Sequence, residues 1–339
     1  MNDIYPHNRF SDSFERRLFT KVNVNLKKNE KLLLACSGGP DSTSLLLAMS
    51  RIWSNLNIKV AYFNHGTRSK LEHEKEFVFL KKICNILNIE IFKGNNINTK
   101  LKKSENFLRI SRYDWLRKIC SEQGINYLLT AHNLNDQAET LIFRLTRGTS
   151  LEGIKSMQII SKLSENHKNN IFLKKDIILF RPLLDVPRWE IEKYLKTLNI
   201  DAINDPSNTD NAYSRNYIRQ KIIPGLEKIN PKAIESIARF AEIANQDNDT
   251  LHILAKKFYK KIVVEKRTSV EIDISKLSKL SNSMISRVII LGCHYLKIEI
   301  NSDQIEHLRV LKDKKDSIYK LSKAEATISK SVITIKQLI

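Results

Sequence analysis

The sequence predicts an α/β protein: a doubly wound parallel sheet followed by a smaller, mainly helical domain. Three observations predict it. A short apolar run, Leu32 to Cys36, meets a small-residue turn, Ser37 to Ser42, and then an apolar helix-forming run. Strand, tight turn and helix form the unit from which such sheets are wound. Further strand-like runs alternate with amphipathic helical ones as far as Phe180, the order of a parallel sheet with crossover helices. A turn-forming cluster, Asp205 to Asp210, then precedes segments of mostly helical pattern. The expected domains are residues 1–210 and 211–339.

Asp12 to Val24 mixes Phe14, Leu18 and Phe19 with charges and reads as a lead-in helix. Leu32 to Cys36 is a buried strand, too short for a helix, and Thr43 to Trp53 is the helix after it. Ile58 to Phe63 is a second strand. It runs into a polar turn, Asn64 to Ser69, at the sheet edge where ligands of open α/β folds collect. Leu71 to Leu87 is helical, with Phe77, Leu80, Ile83, Cys84 and Leu87 on one face. Ile89 to Phe92 is a third strand and Lys93 to Lys103 a polar loop. Glu105 to Leu116 is a helix on which Arg109 and Arg112, three apart, share a face. Ile125 to Thr130 is a fourth strand, leading through Ala131 into a helix that ends near Arg147 and Gly148. Ser161 to Lys175 is a polar insertion without a readable period. Ile177 to Phe180 is the last strand of the unit, and Pro187 opens a helix that runs to Leu198. Pro231 to Leu254 is helical, and Val270 to Ile339 mixes helix-like segments with a strand-like end, Ala326 to Ile335.

A chain of 339 residues with 42% hydrophobic content can fill two cores. Residues Met1 to Ser13 lack an apolar signal core, and no apolar run approaches the roughly 20 residues of a membrane span. The expectation is a soluble, cytoplasmic protein with no membrane partner. Cys36, Cys84, Cys120 and Cys293 are isolated and show no Cys-x-x-Cys spacing, which argues against structural zinc and iron–sulfur ligation. The net charge of +20 favours a polyanion such as nucleic acid. Lysines scattered over a solvated surface are the alternative reading.

The turn after the first strand carries the chemistry. Ser37, Gly38, Gly39, Pro40, Asp41 and Ser42 place glycines where a backbone can approach an anion, with free helix N–H groups behind them. There is no Walker lysine and no Gly-x-Gly-x-x-Gly. Ser-Gly-Gly-x-Asp-Ser resembles the PP-loop of the ATP pyrophosphatases, which cut ATP between the α and β phosphates and transfer AMP to an oxygen of their substrate. Further segments follow in order: His65-Gly66-x-Arg68; Glu105, Arg109 and Arg112-Tyr113; Asp136-Gln-Ala-Glu-Thr140; Arg144-Leu-x-Arg-Gly148; Arg181-Pro-Leu-Leu184; Asp205-Pro-Ser-Asn208; and Arg215-Asn-x-x-Arg219. With them, residues of about 30 to 225 resemble the bacterial tRNA(Ile)-lysidine synthase family.

The resemblance implies a reaction. ATP adenylates the 2-carbonyl oxygen of the wobble cytidine in the isoleucine tRNA with a CAU anticodon, and free L-lysine then displaces AMP to give lysidine. It implies that Asp41 is essential, acting through Mg²⁺ or by orienting the loop. Arg109 and Arg112 would clamp the α-phosphate, charge-assisted donors being what that step needs; an ion pair with Glu105 is the alternative. Asp136 and Glu139 would hold Mg²⁺ or the lysine ammonium, or Asp136 would serve only as a helix N-terminal charge. His65 would contact adenine or a phosphate, or be held by local hydrogen bonds alone. Arg215, Arg219 and Lys221 would form a tRNA-positioning strip in the second domain, or a solvated helix face. A homodimer is among the expectations. Two departures stand out: Asn133 and Asn135 replace a histidine and an aspartate of the family's Ala-His-His-x-Asp-Asp-Gln. The chain also looks short at its end beside long members of the family. Another adenylating PP-loop enzyme, such as a tRNA thiolase, and a non-catalytic RNA-binding protein are the competing readings.

Overall fold

The computed structural model describes residues 12–66, 69–95, 105–163, 176–203, 214–311, 317–321, 323–329 and 331–338. The Asp205 to Asp210 cluster, Arg68, most of the loop expected after the third strand and most of the Ser161 to Lys175 insertion lie outside them. The chain groups into two units, Met1–Ala241 and Glu242–Ile339. The division falls some thirty residues beyond the expected boundary at 210, so Arg215, Arg219 and Lys221 belong to the first unit. No helix among the described residues is long and apolar enough to cross a membrane.

The first unit is built on six strands: β1 (Leu32–Ala35), β2 (Ile58–Asn64), β3 (Glu90–Asn95), β4 (Tyr127–Thr130), β5 (Ile160–Lys162) and β6 (Ile178–Phe180). Their order is β3-β2-β1-β4-β6-β5, parallel except for β5. β5 begins just before the insertion whose pattern gave no reading. Helices α1 (Ser13–Asn25), α2 (Pro40–Ile52), α3 (Lys70–Leu87) and α7 (Arg188–Thr197) pack with Leu32, Leu34, Val60 and Tyr62. Helix α4 (Glu105–Glu122) packs with the alternate side chains, Leu33, Ala61 and Leu128. Successive strand residues point to opposite faces, so a run of consecutive leucines fills a core on each side. That is why these strands read as unbroken apolar runs.

The helix after β1 starts earlier than its apolar pattern suggests. Pro40 takes the first helical position, where a missing N–H costs nothing, with Gly39 as N-cap. Asp41 and Ser42 therefore stand in the first turn of α2, not in a loop before it. Helices α5 (Leu134–Thr146) and α6 (Leu151–Ile154) follow β4. Beyond α7 come α8 (Ser214–Tyr217), a π-helical turn (Ile218–Ile222) and α9 (Ile223–Ile229).

Helix α10 (Ala233–Ile262) contains the division between the units. The second unit takes the end of α10 and joins helices to an antiparallel sheet, which the expected mainly helical domain did not include. It holds α11 (Ile274–Leu277), α12 (Asn282–Tyr295) and α13 (Ser302–Leu311). It also holds five antiparallel strands: β7 (Val263–Lys266), β8 (Ser269–Asp273), β9 (Ile318–Lys320), β10 (Ala324–Ser329) and β11 (Val332–Gln337). The strand-like end expected from Ala326 to Ile335 is two paired strands, β10 and β11. Val270, Ile272, Ile333 and Ile335 bury one face of that sheet with Ile285, Val288 and Ile289 of α12.

Candidate active site

The chain moves outward from β1 to β3 and then crosses back to β4 on the other side of β1. The carboxyl ends of β1 and β4 therefore flank the topological switch point, where open sheets leave a crevice. A cavity of about 480 Å³ opens there, and its lining includes the loop after β1, Arg112, Asp136 and Arg188.

The loop is locked from within. Ser42 Oγ accepts from the Ser37 N–H at 3.1 Å and donates to the Gly39 carbonyl at 3.1 Å. Gly38 sits at φ +87°, a backbone conformation that other residues reach only under strain. The Ser37 amide is thus engaged and Pro40 has none, so not all six expected residues offer an N–H. The amides of Asp41 and Ser42, in the first helical turn, are the ones without an intrahelical partner. Together with the positive end of α2 they present an anion site.

Asp41 faces the cavity from that turn. Its Oδ2 accepts from Arg188 Nη2 at 3.1 Å, and its buried Oδ1 has no hydrogen-bond partner among the described residues. Burial pushes its carboxyl above the ordinary range; Arg188 opposes this and Asp136 adds to it. Arg188 is a site residue that the sequence reading passed over. Pro187-Arg188 was visible only as the start of a helix, and nothing local told that α7 begins opposite the phosphate loop. Its backbone N–H donates to Asn135 Oδ1 at 3.0 Å. Asn135 therefore tethers the start of α7 to the start of α5.

Asn133 has a comparable task. It caps α5, accepting from the Asp136 N–H at 3.1 Å, while Asp136 Oδ2 accepts the Asn133 N–H at 2.9 Å. Both departures from the family pattern are thus hydrogen-bonding residues at a helix start. Asp136 stands in the first turn of α5, where its plainer role as a helix N-terminal charge would place it, and closes the capping box, yet its Oδ1 still faces Arg219 Nη2 at 3.5 Å. Glu139 is gripped by Arg219 through Nε at 2.6 Å and Nη2 at 2.7 Å. Burial works against the Arg219 charge, but the hydrogen bond and charge of Glu139 outweigh it and hold its pKa up. Arg219, expected on a strip with Arg215 and Lys221, instead points into the acidic pair from the π-helical turn. Lys221 is exposed, and Arg215 lies over the Phe143 ring at 5.5 Å.

A second cavity, of about 780 Å³, shares His65, Arg112, His132, Asp136 and Arg219 with the first. Arg109 lines only this second one of the two, so the expected pair of arginines is divided between them. Both guanidiniums lie over the Tyr113 ring, Arg109 at 5.6 Å and Arg112 at 5.0 Å. Neither makes an ion pair among the described residues, and the side chain of Glu105 lies outside them. His65 packs edge-on to Phe63 with centroids 5.2 Å apart. His132, also passed over, bonds Thr130 through Nδ1 at 2.9 Å. Burial first, then Arg112 and Arg181, push its pKa down to about 3. It is a neutral acceptor across the working pH range, not an acid.

No group of three or more His, Cys, Asp or Glu side chains suited to a metal occurs among the described residues. Among the described residues Asp41 Oδ1 is the one buried carboxylate oxygen lining the crevice that has no hydrogen-bond partner, and it suits a Mg²⁺ brought in with phosphates. The cysteines are buried, and burial pushes the Cys84, Cys120 and Cys293 thiols up to about 12. They are not nucleophiles at neutral pH.

The PP-loop domain family matches residues 10–226. A tRNA(Ile)-lysidine synthase of Clostridioides difficile is 32% identical over 287 residues, 81% of this chain and 59% of that protein. One of Clostridium perfringens is 31% identical over 308 residues, 87% of this chain and 62% of that protein. The chain thus spans about three fifths of the length of these relatives. Among solved structures, a U34-tRNA thiolase of Methanococcus maripaludis aligns with a TM-score of 0.54 and 19% identity, covering 68% of this chain and 78% of that one. That likeness bears on the fold alone.

Proposed function

The chain belongs to the PP-loop domain family, and on that premise we propose that it is an ATP-dependent ligase that attaches lysine to the wobble cytidine of the CAU-anticodon isoleucine tRNA. One observation carries the reading. A phosphate loop opens on one cavity, and Arg112 joins that cavity to a second one lined by Arg109, Arg144, Arg147 and Arg215. ATP in the first would present its α-phosphate, beside Arg112, to a base entering through the second. The names of the relatives point to the same substrate.

In this reading the amides of Asp41 and Ser42 hold the leaving diphosphate. Arg112, the one of the expected pair that lines the first cavity, stabilises the charge that builds on the α-phosphate when the cytidine 2-oxygen attacks. Mg²⁺ would be held by Asp41 together with the phosphates and would neutralise the diphosphate. Arg188 keeps Asp41 aimed into the crevice. The lysine amine then attacks C2 of the cytidine, the C2–O bond breaks so that AMP leaves with that oxygen, and the amine gives up a proton to solvent. Glu139 is held by two bonds from Arg219, whereas Asp136 meets it through one long contact. With its Oδ2 taken by the Asn133 N–H, Asp136 offers Oδ1 as the less engaged oxygen for the lysine ammonium or for Mg²⁺.

The test is incorporation of labelled lysine into an isoleucine tRNA transcript with a CAU anticodon, given ATP and Mg²⁺, with a methionine tRNA as control. Lysine should enter only the isoleucine tRNA. Diphosphate release without lysine uptake would keep the adenylation and replace the nucleophile. Silence in both assays would sink the reading.

A further inference from the structure

A third, smaller cavity of about 140 Å³ lies between α4 and the β5–β6 edge of the sheet. Arg109, Tyr113, Arg117, Ser161, Lys162 and Arg181 contribute to its walls. Tyr113 and Arg181 are each only 7% exposed. Arg181 Nη1 donates to the Gln158 carbonyl at 2.8 Å and to Ser161 Oγ at 3.0 Å. Its Nε–H and the Tyr113 hydroxyl are buried with no hydrogen-bond partner among the described residues. Two buried donors left unsatisfied in the lining of one cavity are costly, and a fold retains them where something else accepts their hydrogen bonds.

The charges say what that acceptor is. Asp114 is taken by Arg117 at 2.9 Å and Asp176 by Lys162 at 2.6 Å. Arg109 and Arg181 have no carboxylate partner among the described residues, so the cavity carries two uncompensated guanidiniums. Donors converge from two elements, Arg109 and Tyr113 on α4 and Arg181 after β6. A tetrahedral anion has enough oxygens to serve all three, and guanidinium suits phosphate oxygens. Arg109 also lines the second cavity of the candidate active site. A polynucleotide that places a base in that cavity carries a phosphate on either side of it.

We propose that Arg109, Tyr113 and Arg181 form a phosphate-binding subsite that seats a phosphodiester flanking the reacting nucleotide. The identity of the polynucleotide rests on the ligase reading; the anion site itself does not. The test is direct binding of the isoleucine tRNA transcript, without ATP or lysine, over a range of salt. Tyr113→Phe should weaken binding about tenfold, the scale of a hydrogen bond to a charged group, with the salt slope unchanged. Arg181→Gln should weaken it and lower the slope by about one. Lys162→Glu, an exposed change at the rim with little effect on folding, should weaken it too. A parallel arm follows thermal stabilisation by inorganic phosphate. Stabilisation of the wild type but not of Tyr113→Phe, with tRNA affinity equal in both, would assign the subsite to a free phosphate instead of the diester. No difference between wild type and the three variants in either arm overturns the proposal. If the variants weaken tRNA binding but the wild type incorporates no lysine, the subsite stands and the ligase reading falls.

Discussion

Asp41 holds a charge in a place that resists it. Its carboxyl is pushed up by burial, and one of its oxygens has no protein partner among the described residues. A residue of that kind is retained for what it binds rather than for what it stabilises. Asp41→Ala should abolish tRNA-dependent diphosphate release while leaving tRNA affinity nearly intact, and equal turnover by mutant and wild type would refute the role given to this loop. His132 makes a separate, signed claim. Its folded pKa, about 3, lies below the ordinary histidine value of about 6.5. A group of that sign adds stability that is complete above the unfolded pKa and is lost as pH falls toward the folded one. At pH 5 the loss is about 2 kcal/mol, from roughly 1.4 kcal/mol per pH unit. His132→Gln should therefore narrow the difference in unfolding free energy between pH 7 and pH 5 by that amount. Urea unfolding at both pH values measures it, and an unaltered difference would show that His132 does not titrate as its surroundings require.

At the scale of elements, two helix starts make the site. The loop before α2 depends on Gly38 at φ +87° and on Ser42 tying Ser37 to Gly39. A β-carbon on Gly38 would come no nearer than 3.6 Å to Glu76, so the cost of Gly38→Ala is backbone strain alone. We expect about 1–2 kcal/mol of stability lost and a raised KM for ATP; thermal unfolding and steady-state kinetics would show both, and an unchanged Tm would mean that the loop tolerates another conformation. The second start, at α5, brings Asp136 and Glu139 against Arg219. Arg219→Ala leaves a buried carboxylate unpaired and should cost about 2 kcal/mol. Because that charge is already engaged, the salt slope of tRNA binding should hardly change; a slope lowered by one would return Arg219 to the tRNA-contacting strip. Much of this was legible in the residues. The phosphate loop, the strands and the acidic pair each declare themselves in a stretch of a few positions. Arg188, His132 and the Arg219–Glu139 pair do not, because each gains its role from a partner brought near by the sheet topology. Glu139 and Arg219 are 80 residues apart, and no local period encodes such a meeting. The antiparallel sheet of the second unit was half visible: β8, β10 and β11 all alternate buried and less buried positions, but only β10 and β11 follow one another in one strand-like stretch, whereas β8 runs at once into α11 and β7 and β9 are short and charged.

Over the whole molecule the excess charge is shared in proportion to length. Residues 242–339 hold 18 Lys and Arg against 12 Asp and Glu, whereas residues 1–241 hold 39 against 25. The first unit therefore carries most of the +20 excess, in the same unit as both cavities and the phosphate subsite. If the charge were only a solvated surface, tRNA affinity would depend weakly on salt. If the first unit tracks a phosphate backbone, each neutralised phosphate releases counterions and the logarithm of the affinity falls linearly with that of salt. With about six phosphate contacts, affinity for the isoleucine tRNA should drop roughly a thousandfold between 50 and 200 mM salt. Charge reversal of exposed lysines in the second unit should alter that slope less than the same number of reversals in the first. The measurement is binding of the full chain to labelled transcript at several salt concentrations. A slope equally sensitive to both units would move the main contact surface away from the site and leave the first unit's excess charge without a ligand.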